Sequence, residues 1–298
     1  MKKLSKKSKA FAFGLAFVLL IALSRIYLLV STRTKEMHGE FTIGTNQINI
    51  FDAIQQAEKA ILYGEEGFSL AFQQSLHQVA SSGGYSAVPI CGKSGDYIIW
   101  EKDDGTECYP DIEQVKQSLA ESTTNLMDNI YLISNPYSKE GYISNHELFF
   151  EQKGSKLVAR AYALAPAMQE IACHYAIPPG ELGGCGKYYY KPSFRKEIKF
   201  DINDFKEIVQ HAKEISKIME GCGVLAELFS SCANTAVAEI DKKSEFKWEL
   251  CEKPGLISDY FAVCADTGNK AFFYDEKAKK MEIKPVVVKF ALPFPKIA

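Results

Sequence analysis

The chain lacks the short patterns that usually mark metal and catalytic sites. Its 298 residues contain no Cys-x-x-Cys pair, no His-Glu-x-x-His motif and no Gly-x-Ser-x-Gly elbow. These absences count against a cysteine zinc site, a zinc peptidase and a hydrolase of the elbow type. The sequence therefore predicts no metal, no cofactor and no identified catalytic residue. A Ser-His-Asp triad stays open because triads assemble in space, with His146 and His174 as the candidate histidines.

The chain also lacks an excess of charge of one sign. It carries 35 Lys and Arg against 37 Asp and Glu, a formal net charge of −2. Phosphate backbones need a basic face, so nucleic acid is excluded as the main partner. No Asn-x-Ser/Thr sequon occurs, which makes a eukaryotic glycoprotein a less suitable interpretation.

One long apolar run is present near the N-terminus. Five lysines precede it without an acid, and Arg25 near its outer end is the one charge inside. The run is long enough to cross a bilayer, and the lysines place the N-terminus in the cytoplasm. The sequence predicts a cytoplasmic tail at 1–9, a transmembrane helix at 10–31, a stalk at 32–40 and an extracytoplasmic domain at 41–298. The membrane residues include Ala10, Phe17, Leu20, Arg25 and Val30.

Two other interpretations of this run remain open. Ala22-Leu23-Ser24 is a small-residue site of the kind cut by signal peptidase, although the apolar run continues beyond it. Lys9-Ala10-Phe11-Ala12 is similar to the processing site of archaeal prepilins, which predicts cleavage after Ala10. All three interpretations export residues 32–298.

All the cysteines lie in the exported part, where thiols usually oxidise. There are eight, and they fall into sequence-local couples: Cys91–Cys108, Cys173–Cys185, Cys222–Cys232 and Cys251–Cys264. The third couple is open, because one continuous helix would hold its members too far apart. Either a turn folds Cys222 back, or Cys232 bonds to Cys251.

Apolar spacing predicts an α+β domain in which antiparallel hairpins pack with several amphipathic helices. Helices are expected over 51–81, 110–135, 204–219 and 223–238. Strands are expected over 41–50, 97–100, 146–151, 156–163, 188–200, 246–251, 260–265, 271–274 and 281–290. A helix-rich half at 41–135 and a strand-rich half at 136–298 remain open as a division.

An aromatic cluster offers candidates for contact with a partner. On a strand, Tyr188 and Tyr190 share one face while Tyr189 takes the other, and Phe194 follows closely. One face is expected in the core and the other would give rigid amphipathic surface for a protein or glycan. Tyr188, Tyr190 and Phe194 are the contact candidates, with packing into the core as the alternative.

The order of several short motifs resembles a group of proteins. The motifs are Ser-Ser-Gly-Gly-Tyr at 81–85, Tyr-Ile-Ile-Trp between Cys91 and Cys108-Tyr-Pro, Tyr-x-Pro-Ser-Phe at 190–194, and the ending at 272–292. Together they resemble uncharacterised membrane-anchored surface proteins of small archaea. The resemblance implies a location in an archaeal envelope and an N-terminal anchor, and it transfers no catalytic residue.

These observations lead to one functional hypothesis and two alternatives. The hypothesis is a single-pass cell-membrane protein, embedded in the lipid bilayer, whose outer domain binds or assembles with a protein or glycan of the envelope. Assembly with further copies of the same chain remains open. The alternatives are a pilin-like filament subunit and an extracytoplasmic hydrolase.

Overall fold

The computed structural model describes residues 23–25, 43–131, 146–171, 186–222, 226–252, 259–275 and 277–294. They belong to two compact units, Met1–Glu58 with Met168–Tyr189, and Lys59–Ala167 with Tyr190–Ala298. The helices are α1 Ile43–Ser81, α2 Ile112–Leu126 (followed by a π-helical turn, Met127–Tyr131), α3 Asp204–Glu220 and α4 Ala226–Asp241. The strands are β1 Lys93–Ser94, β2 Tyr97–Ile99, β3 His146–Lys153, β4 Lys156–Ala163, β5 Ala167–Ile171, β6 Gly186–Tyr190, β7 Ser193–Lys199, β8 Lys247–Leu250, β9 Tyr260–Asp275 and β10 Lys280–Pro293.

The smaller unit contains the start of α1 and most of the two-stranded β5–β6 sheet. Its residues 23–25 are helical, and Arg25 is exposed. The other residues predicted to lie in the membrane, Ala10, Phe17, Leu20 and Val30, lie outside the described residues. Within the described ranges, no helix combines the length and apolar character needed to cross a membrane.

The larger unit contains two sheets. The first has the strand order β1-β2-β10-β9-β8, in which β2 and β10 run parallel and the other neighbours antiparallel. The second is the antiparallel sheet β3-β4-β7. This arrangement confirms the predicted α+β class with antiparallel hairpins.

One hydrophobic cluster joins the helices to both sheets. On α1, Phe72 packs against Phe150 of β3 with ring centroids 5.6 Å apart, and Phe68 stacks on Phe194 of β7 at 6.0 Å. Beyond the end of α1, Gly83 accepts a hydrogen bond of 2.9 Å from the indole of Trp100. Trp100 stacks in turn on Phe290 of β10, with ring centroids 3.8 Å apart. The cluster thus draws on residues from both halves of the sequence.

Three disulfides occur among the described residues. They join Cys91 to Cys108, Cys222 to Cys232 and Cys251 to Cys264, with Cα–Cα distances of 6.1, 6.4 and 5.2 Å. Three predicted couples are therefore confirmed. Cys173 and Cys185 lie outside the described residues.

The Cys222–Cys232 bridge, which the sequence left open, is possible because the two cysteines do not lie in one helix. The helix α3 ends at Glu220, and α4 begins at Ala226. Cys222 therefore stands beyond the end of α3 while Cys232 lies within α4, so the rise of one helix does not separate them. Cys251 bonds to Cys264, which excludes its pairing with Cys232.

Several predicted strands differ from the observed ones. Residues 43–50 open the helix α1, so the strand predicted over 41–50 is wrong there. The strand expected over 188–200 is divided at Lys191-Pro192 into β6 and β7. The two strands expected over 260–265 and 271–274 are one continuous strand, β9. The break at 191–192 falls at a proline, which lacks the N–H that a strand ladder needs. The continuity of β9 reflects its pairing with β10 on both sides of the polar middle.

A matched pair of glycines tests the packing at Trp100. Gly83 and Gly154 have φ of +60° and +59°, so alanine is strained at either position. At Gly83, a Cβ would also lie 2.8 Å from the Trp100 indole nitrogen and 2.9 Å from the Lys289 carbonyl, whereas nothing lies within 4 Å at Gly154. We expect Gly154→Ala to cost about 1 kcal/mol and Gly83→Ala about 1–3 kcal/mol more.

The measurement is chemical denaturation of both variants and the parent chain under non-reducing conditions. Equal losses of unfolding free energy at the two positions would contradict the close approach of Gly83 to Trp100.

Candidate functional site

The predicted contact residues are mostly in the core. Tyr190 is 8% exposed and Phe194 is 2% exposed, and Phe194 stacks on Phe68 inside the main cluster. Tyr188 is half-buried, and Tyr189 is 60% exposed. Burial removes Tyr190 and Phe194 as surface for a partner, which corresponds to the core alternative that the sequence left open.

The outer face of the β3-β4-β7 sheet presents a different set of aromatic and basic side chains. Because directly paired residues point to the same side of a sheet, Phe149, Arg160 and Arg195 form one row across it. Tyr162 lies in the next row, and its ring meets that of Phe149 edge to face with centroids 5.9 Å apart. We call Phe149, Arg160, Tyr162 and Arg195 the aromatic–arginine face.

Both aromatic rings of this face are accessible. Phe149 is 48% exposed and Tyr162 is 40% exposed, and Leu164 two residues further is 61% exposed. The opposite side of the same sheet is buried, with Leu157, Ala159, Ala161 and Phe194 in the core. The aromatic–arginine face therefore projects away from the core with both rings accessible.

Surface ion pairs orient its two arginines. Arg160 lies 3.3 Å from the carboxylate of Glu151, and Arg195 lies 2.5 Å from that of Glu197. Exposed pairs of this kind stabilise a fold by less than about 1 kcal/mol. Glu151 and Glu197 both pair with Val158, in the row on the other side of the arginines from Tyr162, so the ion pairs draw both guanidinium groups toward that row. Aromatic rings and arginine are enriched among the residues that dominate the energetics of protein interfaces.

The sequence contained a signal for this face. In β3, the outward positions are Glu147, Phe149, Glu151 and Lys153, so one phenylalanine occupies a position in the row of charged residues. An apolar ring in the polar row of an amphipathic strand lacks a partner in the core. That anomaly, more than the run of tyrosines at 188–190, pointed to exposed aromatic surface.

A pocket lies between the segment that follows α1 and the helix α2. This open pocket of about 430 Å³, which we call the Tyr85 pocket, is lined by aromatic, aliphatic and polar groups. Its lining includes Tyr85, Pro89, Ile90, Tyr109 and Glu121. The Cys91–Cys108 bridge fixes one wall, because Cys108 contributes to the lining and accepts a 2.8 Å hydrogen bond from the Tyr85 hydroxyl.

The Tyr85 pocket presents an ionised carboxylate. Hydrogen bonds from Ser86 at 2.5 Å and Gln117 at 2.9 Å hold the pKa of Glu121 below its usual 4.5. The Ser86 hydroxyl and the Gln117 amide are both neutral donors, so neither of them neutralises the charge of Glu121. Burial raises the pKa of Tyr85 to about 12, so its hydroxyl stays protonated at neutral pH. The pocket can therefore accept hydrogen bonds from hydroxyl or amine groups of a ligand.

Two histidines, His146 and His174, were the candidates for a catalytic triad. His146 begins β3 with its ring 5.3 Å from that of Phe194. His174 lies outside the described residues. In the portion of the chain that is described, no group of three or more His, Cys, Asp and Glu side chains is placed to hold a metal ion.

Comparisons with protein-family models, curated proteins and solved structures find no match to this chain.

Two phenylalanines on opposite sides of one sheet test the assignment of surface and core. We expect Phe149→Ala to cost less than about 1 kcal/mol, because its ring is half exposed. The same change at Phe194 removes a buried ring and is expected to cost about 3–5 kcal/mol. Denaturant unfolding of both variants measures the difference, and a loss at Phe149 as large as that at Phe194 would show that Phe149 belongs to the core.

Proposed function

We propose that this chain is a membrane-anchored surface protein whose extracytoplasmic domain binds another protein of the cell envelope. The binding surface in this proposal is the aromatic–arginine face. The observation that carries the proposal is the exposed Phe149–Tyr162 pair, which shares the outer side of a sheet with two ion-paired arginines. Such rings have few rotatable bonds, so they lose little conformational entropy on binding.

Two observations support the proposed location at the cell surface. The lysine-flanked apolar run at 10–31 has the length and charge asymmetry of a signal anchor. The three disulfides of the described residues are typical of proteins that fold in an oxidising compartment. The resemblance to archaeal surface proteins is consistent with both.

Photo-crosslinking in intact cells tests the binding surface. A photoreactive phenylalanine replaces Phe149 or Tyr162, and the control replaces Leu62 on α1, which is 61% exposed against 48% for Phe149. We expect one discrete protein adduct from positions 149 and 162, and none from position 62. The double variant Phe149→Ser with Tyr162→Ser should prevent co-purification of that adduct partner.

Two results would contradict the proposal. One is the absence of an adduct from positions 149 and 162 when the chain is present at normal levels. The other is the same set of adducts from all three positions, which would indicate unspecific proximity.

A second candidate function uses the Tyr85 pocket. The ionised Glu121, flanked by neutral donors and close to tyrosine and proline side chains, favours a glycan whose hydroxyl groups donate to the carboxylate. Binding of the full chain to envelope polysaccharide should fall at least tenfold in Glu121→Gln. Glu113→Gln, an exposed change on the same helix outside this pocket, is the matched control. Equal binding by both variants would eliminate the pocket as a glycan site.

A further inference from the structure

The β9–β10 hairpin extends beyond its sheet as a two-stranded ribbon. On one side, β8 pairs with β9 only as far as Asp266. On the other side, β2 pairs with β10 only at Phe290 and Ala291. Beyond these points the two strands pair with each other alone, with residues 270–275 opposite residues 280–285 and a register shift between Pro285 and Val287.

One face of this ribbon is fixed to the helix α1. The ring of Phe273 lies edge-on to His77 with centroids 5.2 Å apart, and the Lys284 ammonium stands 4.0 Å above the same ring. The Nδ1 of His77 donates a 3.1 Å hydrogen bond to the carbonyl of Pro285. The side-chain amide oxygen of Gln74 accepts a 3.2 Å bond from the backbone of Tyr274. These contacts give the ribbon a fixed orientation.

The opposite face is apolar and accessible. Phe272 pairs directly with Ile283, and Tyr274 pairs with Met281, so the four side chains project to one side. Phe272 is 41% exposed, Met281 40% and Ile283 62%. We call these four residues, together with the exposed Pro285, the ribbon face. Burying large apolar side chains of this kind away from water is strongly favourable.

Lysines surround the ribbon face. Lys270 extends it at the base, where it pairs with Pro285, and Lys277 and Lys279 stand exposed in the turn at the tip. Residues 270–284 contain five lysines against three acidic residues, while the whole chain has a net charge of −2. The charge at the hairpin is thus opposite in sign to that of the remainder.

We propose that the ribbon face lies on an anionic lipid surface, with its apolar side chains at the boundary of headgroups and acyl chains. Large apolar residues on one face, with lysines at the rim, are the composition of interfacial membrane-binding elements. Each lysine near an anionic bilayer adds attraction, so the rim favours acidic headgroups over zwitterionic ones. The contact would hold the domain against the membrane at a fixed tilt, whatever the state of the N-terminal segment.

The test places a fluorescent reporter on the ribbon face. The full chain carrying Ile283→Trp is mixed with nanodiscs whose acyl chains are brominated, which quenches tryptophan only at acyl-chain depth. The two native tryptophans are 0% and 4% exposed, so their emission is subtracted using the parent chain. Leu164→Trp, at a position just beyond the end of β4 that is 61% exposed against 62% for Ile283, is the control.

The expected result has three parts. Discs containing anionic lipid remove most of the emission added by Ile283→Trp and shift it to shorter wavelength. Discs of zwitterionic lipid alone quench it markedly less, as do anionic discs when Lys277→Glu and Lys279→Glu are added. The emission added by Leu164→Trp stays unquenched in every disc.

Each of the other outcomes would overturn the proposal. Full emission from Ile283→Trp in anionic discs would show that the ribbon face does not enter the lipid, and a protein would then be the remaining class of partner. Equal quenching in both lipids would reject the role of the lysines, and equal quenching at positions 283 and 164 would indicate unspecific adsorption. Met281→Trp, on the same face, replaces the reporter if Ile283→Trp lowers the unfolding midpoint.

Discussion

The rest of the larger unit depends on the bridge between Cys91 and Cys108. The bridge closes the loop that contains β1, β2 and Trp100. Closing a loop of this length stabilises a fold by about 3 kcal/mol, because it restricts the unfolded chain. Trp100 then stacks on Phe290 and donates to the carbonyl of Gly83, which joins the loop to β10 and to the end of α1. The same Cys108 accepts the hydrogen bond of Tyr85, so the core and the Tyr85 pocket share this constraint.

The two exposed apolar surfaces arise from one structural circumstance. A sheet needs cover on only one of its faces to form a core. The β3-β4-β7 sheet buries Phe194 on its inner side and leaves Phe149 and Tyr162 outside. The β9–β10 ribbon packs Phe273 against His77 and leaves Phe272 and Ile283 outside. Aromatic and aliphatic residues on an uncovered face add little to the stability of the folded chain alone, and their exposure is the basis of both binding proposals.

Regular periodicity made part of this fold predictable from the sequence. The helix α3 and the β3–β4 hairpin follow from amphipathic spacing and from a turn at Gly154, and they occur close to the expected bounds. The prediction was wrong where the local pattern was short, as at residues 43–50, which open α1. The continuous β9 strand was not predicted, because its middle at 266–270 is polar and has no apolar spacing, while the pairing with β10 lies on both sides of it.

The surfaces were harder to predict than the elements. Tyr188 and Tyr190 were predicted as contact residues because three tyrosines are adjacent in the sequence. In the structure Tyr190 is buried, and the exposed ring is that of Tyr189. The ribbon face needs the register that sets Phe272 opposite Ile283, and no short window contains both. The Tyr85 pocket combines residues from 85 to 121 whose meeting depends on a disulfide and on the packing of α2. Each feature depends on tertiary pairing, which local propensity does not encode.

The redox state of the cysteines in living cells tests the account most directly, because the proposed location predicts it and the core and the Tyr85 pocket depend on it. Cells would be treated with a membrane-permeant alkylating reagent before lysis, and the peptides would be mapped by mass spectrometry without reduction. The account predicts linked peptides for Cys91–Cys108, Cys222–Cys232 and Cys251–Cys264, with no alkylation at these positions. Alkylated Cys91 and Cys108 in most of the protein would contradict it, because free thiols at these positions would show that the chain is in a reducing compartment and that the bridge is not formed.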